Sequence, residues 1–101
     1  MDVINRKCVI RCAEAGVFYG TVVEKENTPS CVECTIRNCR RIWYWVGAAS
    51  LSQLAVEGVS KPGECKFSMA VPEMTVMGVV EIIPASEQAI KSIEAVPVWR
   101  V

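Results

Sequence analysis

The chain of 101 residues has a mass of 11.1 kDa and carries eleven basic and eleven acidic side chains, so its formal net charge is zero. A chain of this length forms a single domain, residues 1–101, and is too short for two lobes with a cleft between them. The neutral balance excludes the broad cationic surface typical of nucleic-acid-binding proteins, so we do not expect a nucleic acid partner. The absence of histidine removes the commonest general base and metal ligand near neutral pH.

Apolar residues that alternate with polar ones predict several half-buried strands. The first two strands cover residues 7–12 and 17–24 and form a hairpin, and a third strand covers residues 32–37. Asn38 and Cys39 are predicted to interrupt this strand, and the aromatic stretch 40–45 is strand again. Later strands are predicted at residues 65–71, ended by Pro72, and at residues 74–83, ended by Pro84.

Two short helices are predicted among and after these strands. Ser50 and Gln53 form a capping box before a helix at residues 51–57, and Gly58 suits the position just after it. Ser86 caps a last helix that ends before Pro97, and we expect the tail to lie on the sheet through Trp99. This order predicts an α+β domain with a small, strongly bent antiparallel sheet, or a partial barrel, of about five to six strands with two short helices.

The six cysteines are too few for a scaffold built on disulfides. The first twelve residues do not resemble a secretory signal, and no stretch approaches the roughly 18 apolar residues that span a bilayer. We therefore expect a cytoplasmic protein with free thiols and no membrane partner. Cys31 and Cys34 would point to opposite faces of a strand and could not bind one metal ion together. We therefore expect no metal and no cofactor. The alternative is a zinc site with four thiolates drawn from Cys8, Cys12, Cys31, Cys34 and Cys39.

Residues 40–50 concentrate aromatic and cationic side chains directly before the first helix. In a strand, Arg41, Trp43 and Trp45 share one face, and Arg40 and Tyr44 share the other. Indole rings stack on nucleobases, a guanidinium forms paired hydrogen bonds with phosphate, and a helix start presents free N–H groups. We therefore predict a binding site for a small, nucleotide-like, phosphate-bearing ligand that consists of Arg40, Arg41, Trp43, Tyr44, Trp45 and Ser50.

The same residues permit other interpretations. Trp43 and Trp45 could instead anchor the core or an interface with another protein. Hydrophobic residues make up 51% of the chain, which is more than one small core is expected to hide, so we predict a homo-oligomer. A further alternative is an enzyme that uses Glu81, a carboxylate inside a strongly apolar strand. Because no recognised catalytic motif is present, we predict a protein that is not an enzyme.

The chain resembles a family of small phage and prophage proteins. The resemblance covers nearly the whole chain, including residues 79–84 and the ending with Trp99, and it depends most on Arg40-Arg41-Ile42-Trp43-Tyr44-Trp45 followed by Gly47-Ala48-Ala49-Ser50-Leu51. It implies a protein that acts in the bacterial cytoplasm during infection. By analogy with small oligomeric phage proteins, it also suggests that the chain sequesters a nucleotide signal of host antiviral defence.

The N-terminal layout is similar to that of Sm-like barrels. Over residues 7–42 it consists of a strand, a turn at Gly16, a strand that contains Gly20, a polar turn, and a strand that ends in Asn38-Cys39-Arg40-Arg41. This similarity implies an Sm-like partial barrel. It also implies RNA binding as an alternative function.

Overall fold

The first three strands form an antiparallel meander. The computed structural model describes residues 2–101. In it, β1 (Arg6–Cys12), β2 (Gly16–Asn27) and β3 (Val32–Tyr44) pair in chain order. The predicted hairpin is therefore confirmed, and β2 and β3 extend beyond their predicted limits.

A β-bulge lies in the middle of β3. Two residues of β3, Asn38 and Cys39, lie opposite the single residue Gly20 of β2. Asn38 has a left-handed φ of 52°, which asparagine adopts more readily than most residues because its side chain can hydrogen-bond locally. The predicted interruption at this point is wrong, because an extra residue in one strand bends the ladder and increases its twist without ending it.

The next strands differ more from the prediction. The strand expected at residues 65–71 is reduced to β4 (Lys66–Phe67), which follows a short 3-10 turn at Pro62–Glu64. The strand expected at residues 74–83 is divided into β5 (Val71–Met77) and β6 (Val79–Pro84). Gly78 separates them with a φ of 74°, a conformation that glycine adopts without steric cost. The prediction that Pro72 ends a strand is also wrong, since proline is tolerated near the start of an edge strand.

β5 and β6 connect the two sides of the meander. β5 pairs with β3, and β6 pairs with β1. β4 pairs with the end of β3 beyond β5, so the sheet has six strands in the order β4-β3-β2-β1-β6, with β5 added on β3. The sheet is strongly bent but not closed. Together with two helices it forms the small α+β fold that the sequence predicts, and its shape is consistent with a partial barrel.

The two helices pack against each other on the outer face of the sheet. α1 (Leu51–Glu57) begins after Ser50 and ends at Gly58, and α2 (Glu87–Glu94) begins after Ser86, all as predicted. Ser92 of α2 binds the chain just after α1, because its hydroxyl accepts from the Val59 N–H at 2.9 Å and donates to the Val59 carbonyl at 3.0 Å. None of the helices in residues 2–101 has the length and apolar character needed to cross a membrane.

Both faces of the sheet are buried. The inner core lies in the concave face and includes Cys8, Ile10, Phe18, Val22, Cys34, Ile36 and Cys39. The outer core lies between the convex face and the helices and includes Val9, Tyr19, Ile42, Leu54, Phe67 and Ile93. Alternate residues along β1 to β3 therefore belong to two different cores, one on each face of the sheet, and both cores are shielded from solvent.

Candidate functional site

The predicted aromatic segment lies at the end of β3 and in the loop that follows. Trp43 is 66% exposed, and Tyr44 is also open to solvent. The regular alternation of β3 stops at Ile42, because Ile42 pairs with Phe67 and Tyr44 pairs with Lys66, which leaves Trp43 as an extra residue on β3. Of the predicted residues in β3, Arg41, Trp43 and Tyr44 are therefore exposed, and Arg40 is buried.

Arg40 is buried and holds the C-terminal segment against β3. Its Nε donates to the carbonyl of Ser68 at 2.8 Å, and its two Nη atoms donate to the carbonyls of Ile93 at 3.2 Å and Pro97 at 3.3 Å. The guanidinium also lies 5.3 Å from the centroid of the Phe67 ring, a cation–π distance. Burial lowers the pKa of Arg40. These contacts give the side chain a structural role in the fold.

Arg41 lies at the surface, across the end of the inner core. Its guanidinium carbon is 4.6 Å from the centroid of the Phe18 ring, and its Nη1 donates to the carbonyl of Ala15 at 2.6 Å. A guanidinium has five N–H donors, so most of the donors of Arg41 are available to a ligand. The ring below and the hydrogen bond to the β1–β2 turn fix its position.

Trp45 and Ser50 do not lie with Arg41 and Trp43. β3 ends at Tyr44, so the alternation of the strand does not extend to Trp45. The Trp45 ring packs against the outer core, and its Nε1 donates to the carbonyl of Ala48 at 3.1 Å. The Ser50 hydroxyl accepts from the backbone N–H of Gln53 at 3.1 Å, which is a helix cap.

Tyr44 belongs to a second group of side chains. The Nζ of Lys66 lies 5.9 Å from the centroid of the Tyr44 ring and 5.3 Å from that of Trp99. The C-terminal segment runs beside β4, where Val98 forms a parallel bridge with Phe67 and the Trp99 N–H donates to the Phe67 carbonyl at 2.9 Å. The tail thus lies on the sheet, as the sequence predicts. The contact of Lys66 with both rings was not predicted, because only the pairing of distant segments creates it.

We call the exposed side chains at this end of the sheet the aromatic surface. It consists of Trp43, Tyr44, Lys66, Met69 and Trp99, and the three rings and the methionine are all large hydrophobic groups open to solvent. Clefts of about 290 to 520 Å³ lie elsewhere on the described residues 2–101, and their linings do not include any member of the aromatic surface. The aromatic surface is therefore a surface patch outside these clefts.

A cleft of about 290 Å³ lies on the outer face of the sheet beside the bulge. Its polar lining comes from all three strands of the meander and from the end of α2, and consists of Lys7, Tyr19, Thr21, Arg37, Asn38, Arg40 and Glu94. We call it the cationic cleft. The sequence does not reveal this cleft, because its lining residues are distant in the chain and only the pairing of three strands and the position of α2 bring them together.

Glu94 is held at the edge of the cationic cleft by two donors. Its Oε2 accepts from the Tyr19 hydroxyl at 2.7 Å and pairs with the Lys7 Nζ at 2.7 Å. Burial alone would raise the pKa of Glu94, but the hydrogen bonds from Lys7 and Tyr19 and the charge of Lys7 together lower it. The carboxylate is therefore ionised and already engaged near neutral pH.

The cysteines are mostly interior side chains. Cys8, Cys12, Cys34 and Cys39 belong to the inner core, and Cys31 is half-buried in the β2–β3 turn. Burial raises the pKa of the Cys8 and Cys39 thiols to about 11, despite opposing effects of Arg6 and Arg41 respectively. Within residues 2–101, no three or more Cys, Asp, Glu or His side chains are grouped in a way that could hold a metal ion.

Glu81, the carboxylate of the enzyme alternative, is exposed on β6. It forms an ion pair with Arg11, its cross-strand neighbour on β1. An opposite-charge pair across two strands accounts for an acidic residue within an apolar run.

The comparisons with known proteins identify a family without an assigned function. Searches of curated proteins and of solved structures found no match to this chain. A family model described as "Domain of unknown function (DUF6948)" matches residues 5–93, which includes every strand and nearly all of α2. The chain therefore belongs to the DUF6948 family.

Proposed function

We propose that this protein acts by binding rather than by catalysis, and that its aromatic surface is a contact surface for a second copy of the chain. The observation that carries the proposal is the exposure of Trp43 and Trp99, which are 66% and 48% accessible, beside the exposed ring of Tyr44. Exposed aromatic clusters are enriched at protein–protein interfaces and provide most of their binding energy.

The shape of the aromatic surface favours a protein partner over a small ligand. Small molecules bind in concave sites that bury most of their surface, and the clefts described above are lined by other residues. A surface with a central aromatic group and charged side chains around it is the usual composition of an interface. Arg41 and Lys66 would supply the charged part.

Two features favour a second copy as the partner. The net charge of zero means that two copies do not repel each other at long range. The surface also lies at an edge of the sheet, where β4 has only two residues and the C-terminal segment continues past it. A standard interface needs about 800 Å² from each partner, roughly a seventh of the accessible surface of 5924 Å².

Sedimentation velocity tests the proposal. We expect the native protein to form a dimer and the double variant Trp43→Ala/Trp99→Ala to be a folded monomer, because each lost anchor weakens an interface by about 2 kcal/mol or more. Met77→Ala is the control, since Met77 of β5 is a similarly exposed apolar residue and pairs with Glu33, near the opposite end of β3. A native protein that stays monomeric at high concentration, or a double variant that associates like the control, would refute the proposal.

Nucleotide binding at the same end of β3 is the second candidate function. It is favoured by the exposure of both Arg41 and Trp43, which lie two residues apart in β3 and would bind a phosphate and a stacked base respectively. Nucleotides should then raise the melting temperature of the native protein, and Arg41→Ala or Trp43→Ala should abolish this shift. A phage origin, sequestration of a defence nucleotide, and RNA binding of the Sm-like type stay predictions. Of these, RNA binding requires an affinity that falls steeply with salt.

A further inference from the structure

We infer that the cationic cleft beside the bulge of β3 is a binding site for a small phosphate-bearing anion. The inference is independent of the aromatic surface and of the partner proposed for it. It rests on three observations, which are the geometry of the bulge, the imbalance of charge in the cleft, and the set of hydrogen-bond donors that line it.

The bulge brings Arg37 and Arg40 to the same face of the sheet. In a regular strand, residues three apart point to opposite faces. Here Ile36 and Cys39, which are also three apart, both point into the inner core, because the extra residue at the bulge reverses the alternation. Arg37 and Arg40 therefore both reach the outer face and line one cleft.

The positive charges of the cleft exceed the negative ones. Lys7, Arg37 and Arg40 line the cleft together with a single carboxylate, Glu94, which is already paired with Lys7. Arg40 is 8% exposed and donates only to neutral carbonyls. A buried cation without an acidic partner is costly, and an anion in the cleft would compensate it.

Arg37 is free to bind such an anion. No hydrogen bond or ion pair joins its side chain to the rest of residues 2–101, and Glu73, its cross-strand neighbour on β5, forms no ion pair with it. A guanidinium can form two parallel hydrogen bonds with a phosphate. The side chain thus combines a charge that is not engaged in an ion pair with a suitable donor geometry.

The lining also indicates the class and size of the ligand. The Thr21 hydroxyl and the Asn38 amide add neutral donors beside the two arginines. Three cations and one carboxylate leave an excess of positive charge that a phosphate dianion would balance. The volume of about 290 Å³ lies at the lower end of ligand pockets, which start at about 300 Å³, so the ligand is inorganic phosphate or a small phosphate ester such as a mononucleotide.

Isothermal titration calorimetry at constant ionic strength tests the inference with three probes: inorganic phosphate, adenosine 5′-monophosphate and succinate. We expect saturable binding of at least one phosphate compound. Arg37→Gln should weaken it by about tenfold or more, because one charge-assisted hydrogen-bonding group is lost. Lys61→Gln is the matched control, since it removes one charge from an exposed residue in a distant loop. Arg37 is exposed and unpartnered, so its replacement leaves the fold intact.

Each outcome decides a specific point. Tighter binding of the mononucleotide, lost in Arg37→Gln, supports the site with an ester as ligand, and equal or tighter binding of inorganic phosphate supports it with the free ion. No binding of either phosphate compound overturns the inference, and so does binding that is unchanged in Arg37→Gln. Preference for succinate overturns the assignment to phosphate. Backbone amide shifts at Thr21 and Asn38 on titration with phosphate would locate the binding independently.

Discussion

Replacing Gly20 by alanine tests how tightly the bulge is packed. A Cβ atom at this position would lie 2.5 Å from Cγ2 of Ile36, 2.9 Å from the carbonyl oxygen of Arg37 and 3.2 Å from Cα of Cys39. Ile36 is fully buried and the other two atoms are backbone. The methyl group therefore cannot be accommodated by the rotation of one side chain, and the two strands must move apart.

The expected cost follows from two opposing effects. Forcing an extra methyl group into a packed core costs about 1–3 kcal/mol. Alanine also restricts the unfolded chain relative to glycine, which by itself stabilises the fold by about 0.4–1 kcal/mol. We therefore expect Gly20→Ala to reduce the free energy of unfolding by ~1–2 kcal/mol. In a domain of this size, that reduction lowers the melting temperature by ~5–15 °C.

Urea unfolding and thermal unfolding followed by circular dichroism measure this difference. Gly63→Ala is the control, because nothing lies within 4 Å of a Cβ atom at that position and its φ is not in the left-handed region. We expect the control to be as stable as the native protein or slightly more stable. If Gly20→Ala unfolds at the same urea concentration and temperature as Gly63→Ala, the tight packing of the bulge is refuted.

Two further predictions concern titratable groups. Burial would raise the pKa of Glu94, but hydrogen bonds from Lys7 and Tyr19 lower it below the ordinary 4.5 of a glutamate. The stability that this carboxylate provides is therefore present above pH 4.5 and is lost as the pH falls through the folded-state pKa. Urea titrations between pH 3 and 6 should show this loss in the native protein and a smaller one in Glu94→Gln, and equal losses would contradict the assignment. Cys31 is the one cysteine of residues 2–101 that is not buried, so Ellman's reagent should react rapidly with this thiol alone. If a rapid phase of the reaction persists in Cys31→Ser, the other cysteines are not buried.

The elements predicted most accurately are those that depend on neighbours in the chain. The first helix has its predicted limits because a serine cap and a following glycine define both ends. The hairpin of β1 and β2 follows from alternation on both sides of a short turn that ends at Gly16, the first residue of β2. Alternation along β1 also accounts for the shared face of Cys8 and Ile10, which both form part of the inner core.

The features that the sequence did not predict depend on distant segments. Nothing local indicates that Arg40 meets the carbonyls of Ser68, Ile93 and Pro97, so it could not be distinguished from its exposed neighbour Arg41. The hydrophobic content of 51% was likewise compatible with two explanations, an interface between copies of the chain or a larger interior. A sheet buried on both faces accommodates two apolar sets, which a prediction of one core did not consider.

The ribbon formed by β5, Gly78 and β6 has a consequence for how the protein is made. Its two halves cover opposite edges of the meander, and it lies late in the chain. A growing polypeptide therefore exposes Cys8, Ile10 and Phe18 to solvent until most of its length has left the ribosome. Pairings between such distant segments form slowly, and unfinished interiors aggregate. Synthesis is therefore the stage at which oxidants and neighbouring nascent chains can reach the inner thiols most easily.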